Sequence, residues 1–324
     1  MVQPNASIGE MLTVTMFKRS KKMGDGISRN IPFLKFIKNN QKVVSGGHSL
    51  LEEQLFAENA SYQRYAGSET LNTNQTEQFT SFQFNWKQIA IAVVINGLES
   101  DVQNTGPEAV FDLLEKRIEA AEYTMLNSMA VDIESDGTAD GGKQIGGLGL
   151  LVSSAPTSGT VGGIDRATYS WARNQLLDAS DNSITLSPST IQSFFGICVD
   201  ALTRNNERPG LIYAGGTHYR WYRESLQTVQ RIMKVGESTV DTVGSTLEFL
   251  GIPVINGGGY QGIANATTTR FLNLNHLFFK TAAKRNFVPL KARDSFNQDA
   301  TVRYLAWAGN MTARNLFLQG YAQQ

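Results

Sequence analysis

The stretch IGGLGLLVSSAPTSGTVGGIDRATYSWARN, Ile145–Asn174, decides how this chain is interpreted. A glycine-rich approach leads into the apolar run LGLLV, and a Pro-Thr-Ser-Gly turn follows. The segment VGGIDR and the aromatic YSW then precede Arg173 and Asn174. This pattern predicts a buried, turn-rich segment and contains no catalytic motif.

Length and composition indicate a folded chain with a sizeable core. The chain has 324 residues, of which 41% are hydrophobic and 18% charged. The single cysteine, Cys198, excludes an intrachain disulfide. The first residues lack a basic start followed by an apolar run, and no apolar run approaches the roughly 18 residues of a membrane helix. We therefore predict neither a signal peptide nor a membrane span.

Charge is segregated along the chain although the formal net charge is zero. Residues 1–50 carry eight Lys or Arg and two Asp or Glu, residues 51–144 carry five and sixteen, and residues 145–324 carry sixteen and eleven. The first part is thus basic and the second acidic. Such a chain either attracts copies of itself or has solvated faces of differing charge, and charge alone leaves both open.

Residues 1–98 predict an arm and a hairpin. Glycines and prolines interrupt residues 1–50, which suggests an extended arm with one short helix near 33–39. Phe82, Phe84 and Trp86 alternate with polar residues, and the alternation changes phase at Gln88, which indicates a bulge or a change of sheet. We expect Ser61–Ala66 to be the partner strand.

Residues 105–135 predict a long amphipathic helix. Pro107 takes a first-turn position and Glu108 favours the positive end of the helix dipole. Apolar residues recur at spacings of three and four: Val110, Phe111, Leu114, Ile118, Ala121, Met125 and Met129.

From residue 145 onward the pattern is α/β. Ser187 is expected to cap one helix and Thr217 another, with a short buried strand at Leu211–Ala214 between them. Four further strands are predicted: 247–257, 269–279, Val302–Ala308 and Ala313–Leu318.

The motifs that resemble chemical sites are incomplete. Residues 137–144 match G-x-x-x-x-G-K but have Gln144 where a phosphate-binding loop needs Ser or Thr, and they follow a helix. The three histidines, His48, His218 and His276, share no ligand spacing. We therefore predict no catalytic residue, no metal site and no cofactor. The basic cluster at residues 18–22 fits either nucleic-acid phosphates or an acidic neighbour.

The order of elements resembles the major capsid proteins of tailed double-stranded DNA bacteriophages, which have the Hong-Kong-ninety-seven-type fold. Ile145–Asn174, PGLIYAGGTHYRWYRESL (209–226) and LGIPVI (250–255) carry the resemblance most specifically. It implies an α+β fold with five parts: an N-terminal arm (1–50), an E-loop hairpin with flanking P-domain strands (51–98), a P-domain with a long spine helix (99–144), an α/β A-domain (145–285) and P-domain return strands (286–324).

The resemblance further implies a structural protein of the virion, not an enzyme. Copies would form the hexamers and pentamers of an icosahedral head that encloses double-stranded DNA, assembled in the host bacterial cytoplasm. Further partners would be a separate scaffolding protein, a portal and a cement protein, with no membrane. Inter-subunit contacts are expected at basic arm residues and at hairpin residues: Lys18, Arg19, Lys21, Lys22, Arg64, Tyr65, Phe82, Phe84 and Trp86.

Two departures from the family and two alternatives complete the prediction. The expected hairpin tip, Ser68–Thr76, has no lysine, so we expect no covalent crosslinking. Only about 50 residues precede the hairpin, so we expect no cleaved scaffolding domain. An encapsulin-like bacterial compartment on the same fold is the first alternative. An α/β enzyme using residues 137–144 is the second.

Overall fold

The computed structural model describes residues 32–96, 113–227, 247–258, 265–290, 293–294 and 299–324. The chain divides into two compact units. The first contains residues 1–29, 88–129 and 284–307, and the second contains residues 30–87, 130–283 and 308–324. Each unit is described by itself below.

The first unit combines a long helix with short strand pairs. Helix α2 spans Leu113–Glu134, and its residues up to Met129 belong to this unit. Strand β4 (Lys87–Asn96) pairs with β15 (Ala300–Ala313), as do β13 (Val288–Pro289) and β14 (Arg293–Asp294). Ala121, Met125 and Met129 are buried, which confirms the predicted apolar face over these three residues. The predicted start of this helix, including Pro107 and Glu108, lies outside the described residues.

The second unit is built on a six-stranded mixed sheet in the order β7-β16-β11-β8-β10-β9. Its strands are Gln175–Asp178 (β7), Leu211–Ala214 (β8), Leu247–Phe249 (β9), Ile252–Asn256 (β10), Thr269–Leu272 (β11) and Gly320–Gln323 (β16). The short helices α3 (Ala139–Gly142) and α4 (Leu148–Leu151) come first in this unit's later part. Helices α5 (Ile191–Leu202) and α6 (Gly216–Gln227) then contribute Phe194, Phe195, Cys198 and Tyr222 to the core on this sheet. The buried strand predicted at Leu211–Ala214 is confirmed.

The first described residues lie on their own chain. Helix α1 (Pro32–Asn39) buries Phe33, Leu34 and Ile37, and the Phe33 ring lies 5.3 Å from that of Tyr213. Strand β1 (Gln41–Val44) then pairs in parallel with β12 (Leu277–Ala282). The predicted helix near 33–39 is confirmed.

The hairpin is made by β2 (Leu50–Leu55) and β3 (Phe79–Phe84), paired from Leu50–Phe84 to Leu55–Phe79. The predicted partner, Ser61–Ala66, is wrong because this segment lies in the connecting loop. The change of phase at Gln88 does mark a change of sheet, since β3 pairs with β2 whereas β4 pairs with β15.

Three predicted strands differ from the structure. Residues 247–257 form a hairpin, not one strand, with its turn at Leu250 and Gly251, which have φ of 51° and 76°. Residues 269–279 form β11 and β12, separated by residues 273–276. The last strand is β16, because Ala313 ends β15 and residues 314–318 form no strand.

Two helices begin at other residues than the sequence predicts. Helix α5 begins at Ile191, and its N-cap is Thr190 instead of Ser187. The Ser187 carbonyl accepts the amide of Ile191 at 3.0 Å, so residues 187–190 form a turn before the helix. Helix α6 begins at Gly216, which places Thr217 inside the first turn.

Candidate assembly surface

The inner face of the β2–β3 hairpin rests on the segment Ile145–Asn174. Strands β5 (Thr160–Val161) and β6 (Ile164–Asp165) form a small hairpin whose turn includes Gly162, with φ of 54°. A Cβ on Gly162 would lie 2.8 Å from Cβ of Phe82, and the Gly162 carbonyl accepts the amide of Gln83 at 2.9 Å. The absence of a side chain at Gly162 therefore lets Phe82 pack directly on this turn.

An aromatic cluster continues the contact. The ring of Trp171 lies 5.7 Å from Phe82, 5.6 Å from Phe56 and 5.7 Å from Tyr169. Such tilted ring pairs contribute about 0.5–1.5 kcal/mol beyond the area they bury. Trp171 thus links β3, and Phe56 directly after β2, to the 145–174 segment.

A buried ionic cluster anchors β2. Glu52 is 3% exposed, and its Oε1 lies 2.6 Å from Nζ of Lys280 and accepts the Thr312 hydroxyl at 2.7 Å. Arg314 Nε lies 3.8 Å from the other carboxylate oxygen. A carboxylate is stable inside a protein only when such partners replace its water.

The two ends of the hairpin are joined by side-chain hydrogen bonds. Trp86 Nε1, after β3, donates to the carbonyl of Gly47, before β2, at 2.9 Å. Asn310 Nδ2 donates to the carbonyl of Asn85 at 2.8 Å, and its Oδ1 accepts the amide of Gly146 at 3.1 Å. The hairpin is therefore fixed at its base.

The outer face of the hairpin carries exposed apolar side chains with no partner among the described residues, and Glu53 lies between two of them. Leu51, Leu55 and Phe79 are 56%, 59% and 74% exposed. Leu55 and Phe79 are direct cross-strand partners, so their side chains form one patch. Apolar side chains clustered on a protein surface typically mark a protein–protein contact.

The loop between the strands is held by its own polar groups. Gln63 accepts the amide of Asn72 at 3.1 Å and donates to the Thr70 carbonyl at 3.2 Å. Tyr62 and Tyr65 are 77% and 63% exposed. The charged groups exposed on the hairpin and its loop are four glutamates and one arginine: Glu53, Glu58, Glu69, Glu77 and Arg64. This surface is acidic and bears exposed aromatic rings.

The rest of the 145–174 segment is close-packed. A Cβ on Gly147 would lie 2.2 Å from the Ile133 carbonyl oxygen, so only glycine fits there. Arg166 is buried and donates to the carbonyls of Leu150 and Leu151 at 2.6 and 3.1 Å, and burial lowers its pKa to about 10. Asn174 bonds both the amide and the carbonyl of Ser153. These contacts hold the segment in place.

Residues 137–144 do not form a phosphate-binding loop. They contain the four-residue helix α3 (Ala139–Gly142), which is interrupted by positive φ at Asp140 and Gly141. The Gly142 carbonyl accepts a hydrogen bond from the ammonium group of Lys87. The segment follows helix α2 instead of a strand, so it lacks the strand-to-helix nest that binds phosphate.

His218, His276 and Cys198 have structural roles, whereas His48 is exposed. His218 is fully buried, with Nδ1 2.9 Å from the Thr269 hydroxyl, and desolvation lowers its pKa to about 4. His276 Nε2 lies 2.9 Å from Glu207 Oε2, and burial raises the pKa of the Cys198 thiol. In the described ranges no three potential ligands converge as a metal site would require, and no helix is long and apolar enough to span a bilayer.

The structure separates the predicted contact residues into three groups. Lys18, Arg19, Lys21 and Lys22 lie outside the described residues. Arg64 and Tyr65 are exposed in the hairpin loop. Phe82 and Phe84 are 0% and 4% exposed and Trp86 is half-buried, so these three support the hairpin from within the chain.

Sequence reasoning missed the apolar patch of Leu51, Leu55 and Phe79. The signal was the alternation of LLEEQL in residues 50–55 against FTSFQF in residues 79–84. Pairing these two segments would have placed three apolar residues on the solvent face.

Comparison with solved structures extends over nearly the whole chain. A capsid subunit of cyanophage A-1(L) superposes with a TM-score of 0.67 at 15% identity, covering 94% of this chain and 96% of that one. The SrpI encapsulin complex of Synechococcus elongatus PCC 7942 superposes with a TM-score of 0.58 at 9% identity, covering 96% of this chain and 94% of that one. The capsid of a native GTA particle superposes with a TM-score of 0.57 at 12% identity, covering 94% of each chain.

These likenesses define the fold class. The chain has the Hong-Kong-ninety-seven-type capsid fold, an α+β architecture found in phage capsids and in an encapsulin. No family model and no curated protein matches the sequence. The likeness that the comparisons show is one of fold.

Proposed function

We propose that this chain is a major capsid subunit of a tailed bacteriophage, which assembles as hexamers and pentamers into an icosahedral head around double-stranded DNA. The observation that carries the proposal is the match to the cyanophage capsid subunit over 94% of this chain and 96% of that one. Both chains are covered almost end to end, so the likeness extends over most of the fold.

The hairpin supports this function physically. Its inner face is fixed by the Glu52 cluster and by Trp171, while its outer face exposes Leu55 and Phe79. A rigid element with an exposed apolar face loses little conformational entropy when it binds. Each contact is weak, but a closed shell repeats it in every subunit.

Charge gives the hairpin a partner on a second copy. The exposed glutamates of the hairpin complement the basic residues 18–22. We propose that Lys18, Arg19, Lys21 and Lys22 of one subunit bind this acidic surface on the next. Arg64 and Tyr65 of the loop contact the neighbouring subunit, and Phe82, Phe84 and Trp86 hold the hairpin in the orientation for binding.

Further partners follow from the same proposal. They are a separate scaffolding protein, a portal, a cement protein and packaged double-stranded DNA bound without sequence specificity. Assembly takes place in the cytoplasm of the host bacterium. The division into arm, hairpin, spine helix, A-domain and return strands at residues 50, 98, 144 and 285 belongs to this proposal, as does the absence of covalent crosslinks.

An encapsulin-like compartment is the second candidate, favoured by the likeness to the SrpI encapsulin. The content of the particles separates the two functions. Particles purified from phage-producing cells are treated with nuclease, opened, and analysed for DNA and for enclosed proteins. Protected double-stranded DNA of uniform length supports the phage head. An enclosed enzyme with no DNA supports the compartment and contradicts the proposal.

A further inference from the structure

The six-stranded sheet of the second unit ends on two strands with one neighbour each among the described residues. These strands are β7 and β9. Five inter-strand spacings of about 4.8 Å separate them by roughly 24 Å, on opposite sides of the sheet. An open edge presents unpaired backbone N–H and C=O groups.

Two different surfaces on opposite sides of a subunit join copies head to tail, and a suitable rotation closes them into a ring.

The β9 edge presents an apolar side chain in a strained turn. Leu250 is 62% exposed and has φ of 51°, a conformation that is costly for a residue with a branched side chain. Arg208 Nη1 donates to the Leu250 carbonyl at 3.4 Å, and Arg204 and Arg208 are both exposed. Glu248 is exposed on β9 itself, and Glu207 contacts His276. Among the described residues, Arg208 therefore brings a guanidinium group to this edge, and Arg204 lies four residues before it, paired with Glu207 through the backbone.

The β7 edge is apolar and acidic. Leu176 and Phe317 are 39% and 43% exposed, and Gln175 Nε2 donates to the Phe317 carbonyl at 3.2 Å. Asp178 lies on β7, and Asp181 follows it on the surface. Hydrogen bonds from the Ser180 hydroxyl and amide lower the pKa of Asp178, which keeps this carboxylate charged.

We propose that the β9 edge of one subunit binds the β7 edge of the next, so that this head-to-tail contact closes the capsomer ring. Leu250 packs against Leu176 and Phe317 of the neighbour, and Arg204 and Arg208 face its Asp178 and Asp181. The inference rests on the proposed function and names the partner surface for it. A contact made by so few side chains is weak by itself. Its repetition around the ring stabilises the closed capsomer.

A charge exchange tests the pairing directly. Arg208→Glu and Asp181→Arg are made singly and together in the full chain, and the yield of hexamers, pentamers and shells is measured by sedimentation. Each single variant places like charges together, so the yield falls by about tenfold or more. The double variant restores opposite charges and recovers most of the yield. Lys143→Glu, with the same charge change on an exposed residue elsewhere, leaves the yield unchanged.

A second variant separates assembly from folding. Leu250→Gly removes the exposed apolar side chain and places glycine where φ is positive, so the subunit keeps or gains stability. We expect its thermal unfolding midpoint to hold while its yield of capsomers falls.

Failure of the inference and failure of the proposed function differ. Single variants that assemble like the unmodified chain, or a double variant that stays unassembled while folded, overturn the edge-to-edge contact and leave the capsid function standing. An unmodified chain that forms no capsomers or shells with or without a scaffolding protein contradicts both.

Discussion

The Glu52 carboxylate lies 2.6 Å from the Lys280 ammonium and is 3% exposed. This pair joins β2 of the hairpin to β12, and the Thr312 hydroxyl completes the shell of the carboxylate. Glu52 thus anchors β2 of the hairpin to the neighbouring sheet.

Removal of this carboxylate leaves the nearly buried Lys280 ammonium without its partner. Glu52→Ala is expected to lower the free energy of unfolding by about 3 kcal/mol. The exposed neighbour Glu53→Ala is the control, with a change within about 0.5 kcal/mol. Urea unfolding of the two variants makes the comparison, and equal stabilities would mean that the cluster does not hold the hairpin.

The Gly162 turn is expected to set the position of Phe82. Gly162→Ala puts a methyl group 2.8 Å from Cβ of Phe82 at a positive φ, and should cost about 2–3 kcal/mol. Gly163→Ala has φ of 81° but open space, so it carries only the backbone cost of about 1 kcal/mol. The difference between their unfolding free energies measures the contact, and no difference would refute it.

Gly147 is expected to tolerate no side chain. Its Cβ would overlap the Ile133 and Asp132 carbonyl oxygens at 2.2 and 2.4 Å, so Gly147→Ala should abolish soluble, folded protein. Gly196→Ala on α5 meets no atom within 4 Å and should stabilise the chain by about 0.5–1 kcal/mol. Soluble yield and circular dichroism distinguish them, and a well-folded Gly147→Ala protein would contradict the packing described.

The outer face of the hairpin is expected to serve assembly and not stability. Leu55→Ser with Phe79→Ser should change the unfolding free energy of the subunit by less than about 1 kcal/mol, because both side chains are exposed. The yield of shells should nevertheless fall. Val43→Ser, at an equally exposed apolar residue on β1, is the control. Unchanged shell yield in the double variant would exclude this face as an assembly contact.

Because His218 is buried, we expect the folded subunit to lose free energy of unfolding in acid. Burial holds the pKa of its folded form at about 4, below the usual 6.5, so the unfolded chain binds the proton more readily. Stability from this group is complete above pH 6.5 and falls as the pH drops towards 4, by about 2 kcal/mol between pH 7.5 and 5. His218→Gln should reduce this dependence in urea unfolding measured at both values. An identical dependence in the variant would contradict it.

Local periodicity was sufficient for the elements whose burial is set by their own sequence. The spacing of Ala121, Met125 and Met129 predicts the buried face of α2, and the alternation of Phe82 and Phe84 predicts that of β3. The order of elements along the chain was sufficient for the fold class.

Contacts distant in sequence account for what could not be predicted. A glutamate such as Glu52 is expected to face solvent, and only its distant partners Lys280 and Thr312 explain its burial. The sequence therefore did not indicate β2 as the partner of β3. Residues 273–276 alternate like a strand, but Asn273 Oδ1 accepts the amide of Asn275 and forms a turn. Leu250 occupies a positive φ that no apolar pattern indicates.

Electron microscopy of the assembled protein tests the capsid function most directly. The chain is expressed alone and with a candidate scaffolding protein, and the products are imaged by negative staining. The account predicts closed shells of uniform diameter, or hexamers and pentamers that await the scaffold. Small oligomers of other symmetry that never assemble under either condition would contradict it.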